Sequence, residues 1–509
     1  MKRALLAALA VTLAGCAARP TPPLTVLGGS ELRDLAPILE DVARASGVRL
    51  NIQYVGTLDG TERLRGGATP DLVWFSHAKY LELQDDLRGR VIAREKIMLS
   101  PVVLGVNRRD ARAWGWTGRN ASWRDIARKV ASGDLKYGMA NPAASNSGLT
   151  ALIGVTAALS GKGDAITAAD ARSPELRAFF RGQALTAGSS GWLADAYIRD
   201  QARLNGLINY ESVLLSLNRG GQLREPLTLI YPRDGLITAD YPLLLLNPAQ
   251  QAPFRKLVDA LRAPAVQARI MRDTLRRPVN TTVPLTRDFP DALLLELPFP
   301  RSASTLDAVV STYLQDTRQP ANTIFVLDVS GSMRGARIDA LKTALRGLSG
   351  ADTTLTGRYA TFANRERVTL IPFSSAPGAP RTTELTPATR GAALKQLRAQ
   401  VDALTPDGGT NIYGALQAAY EQARAAPAGR YTSIVLMTDG ERTEGPSADQ
   451  FRATYAALPE RARQVKTFTV LFGDSDATEM NRIATLTGGR TFDGQNDLRA
   501  AFKDIRGYQ

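Results

Sequence analysis

Thr323-Ile324-Phe325-Val326-Leu327-Asp328-Val329-Ser330-Gly331-Ser332-Met333 is the stretch on which the reading of this 509-residue chain turns. Its first five residues have the apolar, β-branched character of a buried strand. Asp328 ends that strand, and Ser330 and Ser332 follow, two apart on one short loop. Gly331 between them lets the backbone turn without a side-chain clash. Beyond the loop, Ile338, Leu341, Leu345 and Leu348 recur at helical spacing. A buried strand, an oxygen-rich loop and an amphipathic helix in that order make one unit of an α/β sheet.

Two further elements share this geometry. Gly408-Gly409-Thr410-Asn411 precedes a helical pattern from Ile412 to Ala425, and Ile434-Val435-Leu436-Met437-Thr438-Asp439-Gly440 is another apolar strand ending in an acid. The three loops are expected to converge at one sheet edge, each presenting oxygen. A hard divalent cation such as Mg²⁺ takes oxygen ligands in near-octahedral geometry at about 2.0–2.1 Å. Asp328 and Asp439 supply charge, and Ser330, Ser332 and Thr410 supply hydroxyls. Two carboxylates and neutral hydroxyls leave the ion electron-poor, with a place for water or a partner's carboxylate. Asp439 reaches the ion directly or through a water, and the sequence leaves both open. The plainer view makes Ser330 and Ser332 helix caps and Asp439 a loop acid. It accounts for each residue singly but not for their order.

These residues resemble the von Willebrand factor A (VWA) domain with its metal-ion-dependent adhesion site. Asp328, Ser330, Ser332, Thr410 and Asp439 match all five positions of that site. The resemblance covers roughly Ala321 to Gln509, where the strand Val465 to Leu471 and the turn Gly488 to Phe492 fit the remaining core. It implies a Rossmann-like, doubly wound domain over residues 321–509. It also implies a bound Mg²⁺ (or Ca²⁺ or Mn²⁺) and a protein partner that offers the metal a carboxylate.

Upstream, strands alternate with helices from about Leu24 to Pro300. The strand Leu24-Thr25-Val26-Leu27 leads through Gly28 and Gly29 to Ser30, where an apolar-periodic helix starts. A second strand, Arg49 to Val55, ends in Gly56-Thr57, and a third, Asp71 to Ser76, follows a glycine-containing loop. Such alternation predicts a parallel sheet, with Ser30, Thr57 and Ser76 on the edge where these sheets bind ligands. Tyr137 to Pro142 reads as a strand, and Ala143 to Gly148 leads into a helix from Leu149. Ser145 and Ser147 there either cap the helix or, with its free N–H groups, receive an anion or polar group.

This order is similar to a type II periplasmic solute-binding protein, through Gly29-Ser30-Glu31, Asp71-Leu72-Val73, Asn141 to Gly148, Ile208 to Ser212, Tyr231 to Gly235 and Asp240-Tyr241-Pro242. The resemblance implies two α/β lobes closing on a ligand, with Ser30, Thr57, Ser76, Ser145, Ser147, Tyr210 and Asp234 as cleft residues. Glu211 and Asp234 repel an anion or brace the fold, and bracing is preferred. Leu297-Pro298-Phe299-Pro300 marks a break, and Leu306, Val309, Val310, Tyr313 and Leu314 predict one connecting helix within residues 301–320.

The N-terminus, Met1 to Cys16, carries Lys2 and Arg3 and then an apolar run too short to span a membrane. Leu13-Ala14-Gly15-Cys16 resembles a bacterial lipoprotein signal, which implies lipidation of Cys16 and anchoring outside the cytoplasm. Residues 17–23 read as an extended linker.

Composition narrows the chemistry. There is one cysteine and one histidine, so internal disulfides, cysteine zinc clusters and multi-histidine sites are excluded. The net charge of +14 is spread among acids with no basic run, which argues against nucleic acid and for attraction to anionic envelope surfaces. Asp328 lacks the second acid two residues on that phosphoryl transfer needs, since Ser330 stands there. No Gly-x-Ser-x-Gly elbow is present. His77 follows Ser76 and reads as a surface or cleft residue. The expectation is a non-enzymatic, lipid-anchored envelope protein that docks a partner's acidic group and captures or senses a solute. The alternative is the substrate-binding component of an ABC-type transporter with an accessory domain.

Overall fold

The computed structural model describes residues 22–116, 121–290 and 294–508. The leader, Cys16 and the start of the linker lie outside the described residues.

The first lobe is built on a five-stranded sheet in the order Leu50–Tyr54, Leu24–Gly28, Leu72–Trp74, Pro242–Leu245, Ala93–Lys96. The first three strands are parallel, as the alternation predicts. The last two are antiparallel to their neighbours, because Pro242–Leu245 returns from the second lobe rather than from a crossover helix. The second lobe wraps around the long strand Met98–Asn107, which pairs with Thr238–Ala239, Gly206–Tyr210, Leu227–Ile230 and Arg277–Pro278. The lobes are thus mixed sheets, not purely parallel ones.

The C-terminal sheet runs Arg381–Glu384, Arg367–Phe373, Ala321–Asp328, Tyr431–Thr438, Lys466–Leu471, Thr491–Asp493. All its neighbours are parallel except the first pair. Its central strand is buried along its whole length, as a strand covered by helices on both faces must be. Asp328 pairs in register with Phe373 and Leu327 with Met437, which brings Asp328 and the end of Tyr431–Thr438 to one edge.

Between the two bodies lies the helix Ala303–Thr312, whose last turn widens at Tyr313–Thr317. Ser302 caps it by accepting from the Thr305 N–H. Its apolar stripe, Leu306, Val309, Val310, Tyr313 and Leu314, is buried in the core of the first body. A second core spans both bodies, with Leu185, Ala187 and Leu193 packed in one cluster with Phe325, Phe502 and Tyr508. Among the described residues no helix is long and apolar enough to cross a membrane.

His77 is not a surface or cleft residue. It is 7% exposed, its ring lies 4.5 Å from Phe299 in the junction, and Nδ1 accepts from the Lys79 N–H. Burial pushes its pKa down from 6.5 to about 4, against the attraction of Asp240. The folded protein therefore resists protonating it. Stability is unaffected above pH 6.5 and is lost as pH falls from there through 4. The full loss is roughly 3 kcal/mol. A His77→Phe variant should show a flatter decline in urea stability between pH 7 and pH 4. An unchanged slope would assign the acid sensitivity to other groups.

Candidate metal centre and solute cleft

The end of the central strand is shaped by its own side chains. Asp328 is fully buried, and its Oδ1 accepts from the Ser330 N–H at 2.7 Å, which folds the loop back over the strand end. Its Oδ2 accepts from the Thr438 hydroxyl at 2.5 Å. Gly331–Met333 then form a single tight turn. Ser330 Oγ and Ser332 Oγ stand 3.0 Å apart, and Ser332 donates to Asp439 Oδ1 at 2.8 Å. The glycine loop is sewn to the same place: Gly331 N–H donates to Gly408 O at 2.9 Å, and Asp407 N–H to Val329 O at 2.8 Å. Thr410 is buried, its N–H bound to the Thr443 hydroxyl.

The structure thus brings Asp328, Ser330, Ser332 and Asp439 into one hydrogen-bonded chain, with the Thr410 loop against it. Asp328 and Asp439 are two buried carboxylates at close quarters. Burial raises the Asp328 pKa, and the Asp439 charge adds to that, against the hydrogen bonds from Ser330 and Thr438. A divalent cation would remove this repulsion and accept the serine and threonine oxygens, so the donor set fits Mg²⁺ chemistry. Among the described residues no group of three or more His, Cys, Asp or Glu is placed to hold a metal ion, so any metal held here would rely on hydroxyls as much as on carboxylates.

Sequence reasoning missed Arg337. Its guanidinium bonds Asp439 Oδ2 at 2.7 Å and Asp474 Oδ2 at 2.7 Å. Arg337 is shared between Asp439 and Asp474, so it adds no net charge to the centre, and a divalent cation would be balanced by Asp328 and Asp439 alone. Arg337 also competes with the ion for the same carboxylate. A pair of unit charges about 4 Å apart is worth about 4 kcal/mol at an effective dielectric of 20. Arg337 would act on a cation through Asp439 and is partly solvated, so roughly 1 kcal/mol is expected. Arg337→Ala should therefore bind Mn²⁺ roughly fivefold more tightly in calorimetric titration. Equal or weaker binding would mean that Arg337 only orients Asp439. No pattern in its neighbourhood marks Arg337 out, because its partners are 102 and 137 residues away.

In the first body the two lobes touch across the cleft. Ser76 Oγ lies 2.9 Å from the Tyr210 hydroxyl, and Asn146 donates to Ser76 Oγ at 2.6 Å. Glu31 Oε1 is 3.5 Å from both oxygens of that pair. Burial raises the Glu31 pKa, only partly offset by a backbone hydrogen bond and Arg276. Ser145 and Ser147 are buried beside Asn146, their hydroxyls 3.0 Å apart. The helix starts at Asn146 rather than Leu149, with Ser145 at the N-cap position, and neither serine caps it through its side chain. Thr57 opens the helix Thr57–Arg65, and Ser30 opens a tight helical turn over Ser30–Leu35. Glu31 and Asn146 stand beside residues read from the sequence, and their neighbours were the only signal for them.

Asp234 does not join this cluster. It accepts from the Trp123 N–H at 2.9 and 3.0 Å and so braces the helix Trp123–Ala131. Glu211 braces as well. It is fully buried and takes two 2.7 Å bonds from Arg277, with the Tyr231 hydroxyl as a third donor.

Residues 24–274 match the family of bacterial extracellular solute-binding proteins, and residues 322–506 match the von Willebrand factor type A domain. Among curated proteins, the inter-alpha-trypsin inhibitor heavy chain H4 of Sus scrofa is 31% identical over 132 residues, which is 25% of this chain. That match spans only 13% of the length of the heavy chain. Among solved structures, the periplasmic binding protein AfuA from Actinobacillus pleuropneumoniae is 14% identical with a TM-score of 0.45, covering 58% of this chain and 98% of that one. A von Willebrand factor type A protein from Catenulispora acidiphila is 20% identical with a TM-score of 0.30, covering 38% of this chain and 43% of that one.

Proposed function

We propose that this chain, which joins a bacterial solute-binding domain at residues 24–274 to a VWA domain at residues 322–506, is a non-enzymatic docking protein of the cell envelope. Asp328, Ser330, Ser332, Thr410 and Asp439 hold a divalent cation, most naturally Mg²⁺. The cation binds a carboxylate of a protein partner. Cys16 carries the lipid that keeps the protein on a membrane outside the cytoplasm, where several acyl chains anchor at about 0.8 kcal/mol per buried methylene.

One observation carries this reading: two buried carboxylates linked through the Ser330–Ser332 pair at a sheet edge where three loops meet. A hard cation there is met by two carboxylates and neutral hydroxyls, with Arg337 shared between Asp439 and Asp474, so its coordination is left open to a partner's carboxylate. Ser332 and Arg337 between them hold both Asp439 oxygens and set their direction. The Ser330 N–H and the Thr438 hydroxyl do the same for Asp328. The alternative, a solute carrier for a transporter, is less well supported because the cleft side chains are bonded to each other.

The test is capture from an envelope extract on a soluble chain starting at residue 22, with Mg²⁺ or with chelator. A defined set of proteins is expected to be retained with Mg²⁺ and lost, by about tenfold or more, on chelation. Identical retention in both would sink the metal-docking reading.

A further inference from the structure

We propose that the VWA domain is an intramolecular clamp: it grips both lobes of the solute-binding domain and holds the cleft shut on its own side chains, so that solute enters only when the clamp releases. This goes beyond the metal-docking reading and does not depend on it.

Two-lobed domains exchange ligand by rotating the lobes apart about a hinge. Here the chain crosses between lobes beside Ile97 and Asp240, and Tyr241 holds a left-handed φ of 39° there. Opening would break the Ser76–Tyr210 and Asn146–Ser76 bonds. It would also need the lobes to move independently, and a third body is attached to both.

On the first lobe, the Glu62 carboxylate caps a VWA helix. It accepts from the N–H groups of Leu355 at 2.8 Å and Thr356 at 3.2 Å, and from the Thr356 hydroxyl at 2.6 Å. A carboxylate at a helix start is favoured by both hydrogen bonding and the helix dipole. Nearby, Tyr80 of the first lobe and Tyr359 of the VWA domain donate to the same oxygen of Asp307, at 2.9 and 2.8 Å. On the second lobe, Lys466 pairs with Asp200 at 2.6 Å. Arg490 lies 3.6 Å over the Trp192 ring, and Trp192 stacks on Tyr508.

The cleft loop itself is sandwiched. Asn141 donates to the Arg506 carbonyl at 3.3 Å. A Cβ added at Gly507 would stand 3.0 Å from Gly188 Cα and 3.4 Å from Ala144 Cβ. On the first lobe, a Cβ added at Gly56 would stand 3.0 Å from the Ala144 carbonyl. Ala144 immediately precedes Ser145, Asn146 and Ser147. The C-terminal turn, the cleft loop and the first lobe are therefore in direct contact, and the lobes cannot part without loosening one grip.

Hydrogen exchange on the whole protein, read by mass spectrometry, tests the clamp. Glu62→Ala with Trp192→Ala weakens both grips, and Ser76→Ala with Tyr210→Phe weakens only the cleft bonds. With the grips weakened, segments 352–360 and 498–508 should exchange at least tenfold faster, and so should the cleft segments 141–150 and 207–214. Strands 322–328 and 431–438 should keep wild-type rates. With only the cleft bonds weakened, the cleft segments should stay within threefold of wild type. The proposal is overturned if the grip segments loosen while the cleft stays protected, or if the cleft-bond variant opens by itself. Should the control strands also accelerate in the double variant, Glu62→Gln, which removes one charge, is judged by the same comparison.

Discussion

Replacing Asp328 with Ala should abolish divalent-metal binding by the VWA domain, with affinity falling at least a hundredfold in Mn²⁺ titration. The metal-dependent partners captured from envelope extract should be lost with it. The reason is electrostatic. Asp328 is fully buried beside Asp439, and Arg337 already offsets the Asp439 charge. Removing Asp328 takes away one of the two carboxylates offered to a doubly charged cation, and Arg337 still holds the other, so a hundredfold loss, about 2.7 kcal/mol, is expected. The fold should survive, because only the Ser330 N–H and the Thr438 hydroxyl lose an acceptor, and the hydroxyl also lies 3.2 Å from the Gly440 carbonyl. Thermal melting in the absence of metal should thus change little. Unaltered Mn²⁺ affinity would show that the ion is held elsewhere or not at all.

Replacing Glu366 with Ala should cost about 3–5 kcal/mol of stability, the largest loss expected from any single change away from the metal centre. Glu366 is fully buried and meets Arg506, which is 5% exposed, through Nη2 to Oε2 at 2.9 Å and Nη1 to Oε1 at 2.5 Å. It also accepts from the Ala363 N–H at 2.7 Å. Burial works to raise its pKa, but the charges of Arg506 and Arg318 prevail and hold it below the ordinary value. Without the carboxylate, two buried guanidinium groups face each other. Urea unfolding followed by far-ultraviolet circular dichroism reads the loss. A decrease below about 1 kcal/mol would place this pair among those whose desolvation cancels their attraction. Because the Arg506 carbonyl receives Asn141, the variant should also loosen the contact between the VWA domain and the second lobe.

The metal centre and the cleft differ in how far they could be read beforehand. Asp328, Ser330 and Ser332 lie within five residues, and strand and loop geometry alone bring them together. Thr410 and Asp439 sit at analogous points of neighbouring units, so chain order placed them. The cleft yielded less. Ser76, Ser145 and Ser147 were legible as strand-end and helix-start residues, and Tyr210 only through the resemblance to a solute-binding protein. Glu31 and Asn146 were visible only as their neighbours, and Asp234 fell out because a backbone N–H 111 residues away claimed it. His77 is buried rather than exposed because Phe299, whose ring lies beside it, comes from the junction far along the chain.

From the sequence by itself came the number and kind of folding units, the alternation of strands and helices, and the five residues offered to a cation. Each of these depends on spacings of a few residues, where covalent geometry leaves little freedom. Tertiary structure alone decided the Arg337 counter-ion, the closed contact of Ser76 with Tyr210 and the seating of the VWA domain on both lobes. Those contacts join side chains more than a hundred residues apart, and no local periodicity encodes which distant surfaces will meet when each buries its apolar face.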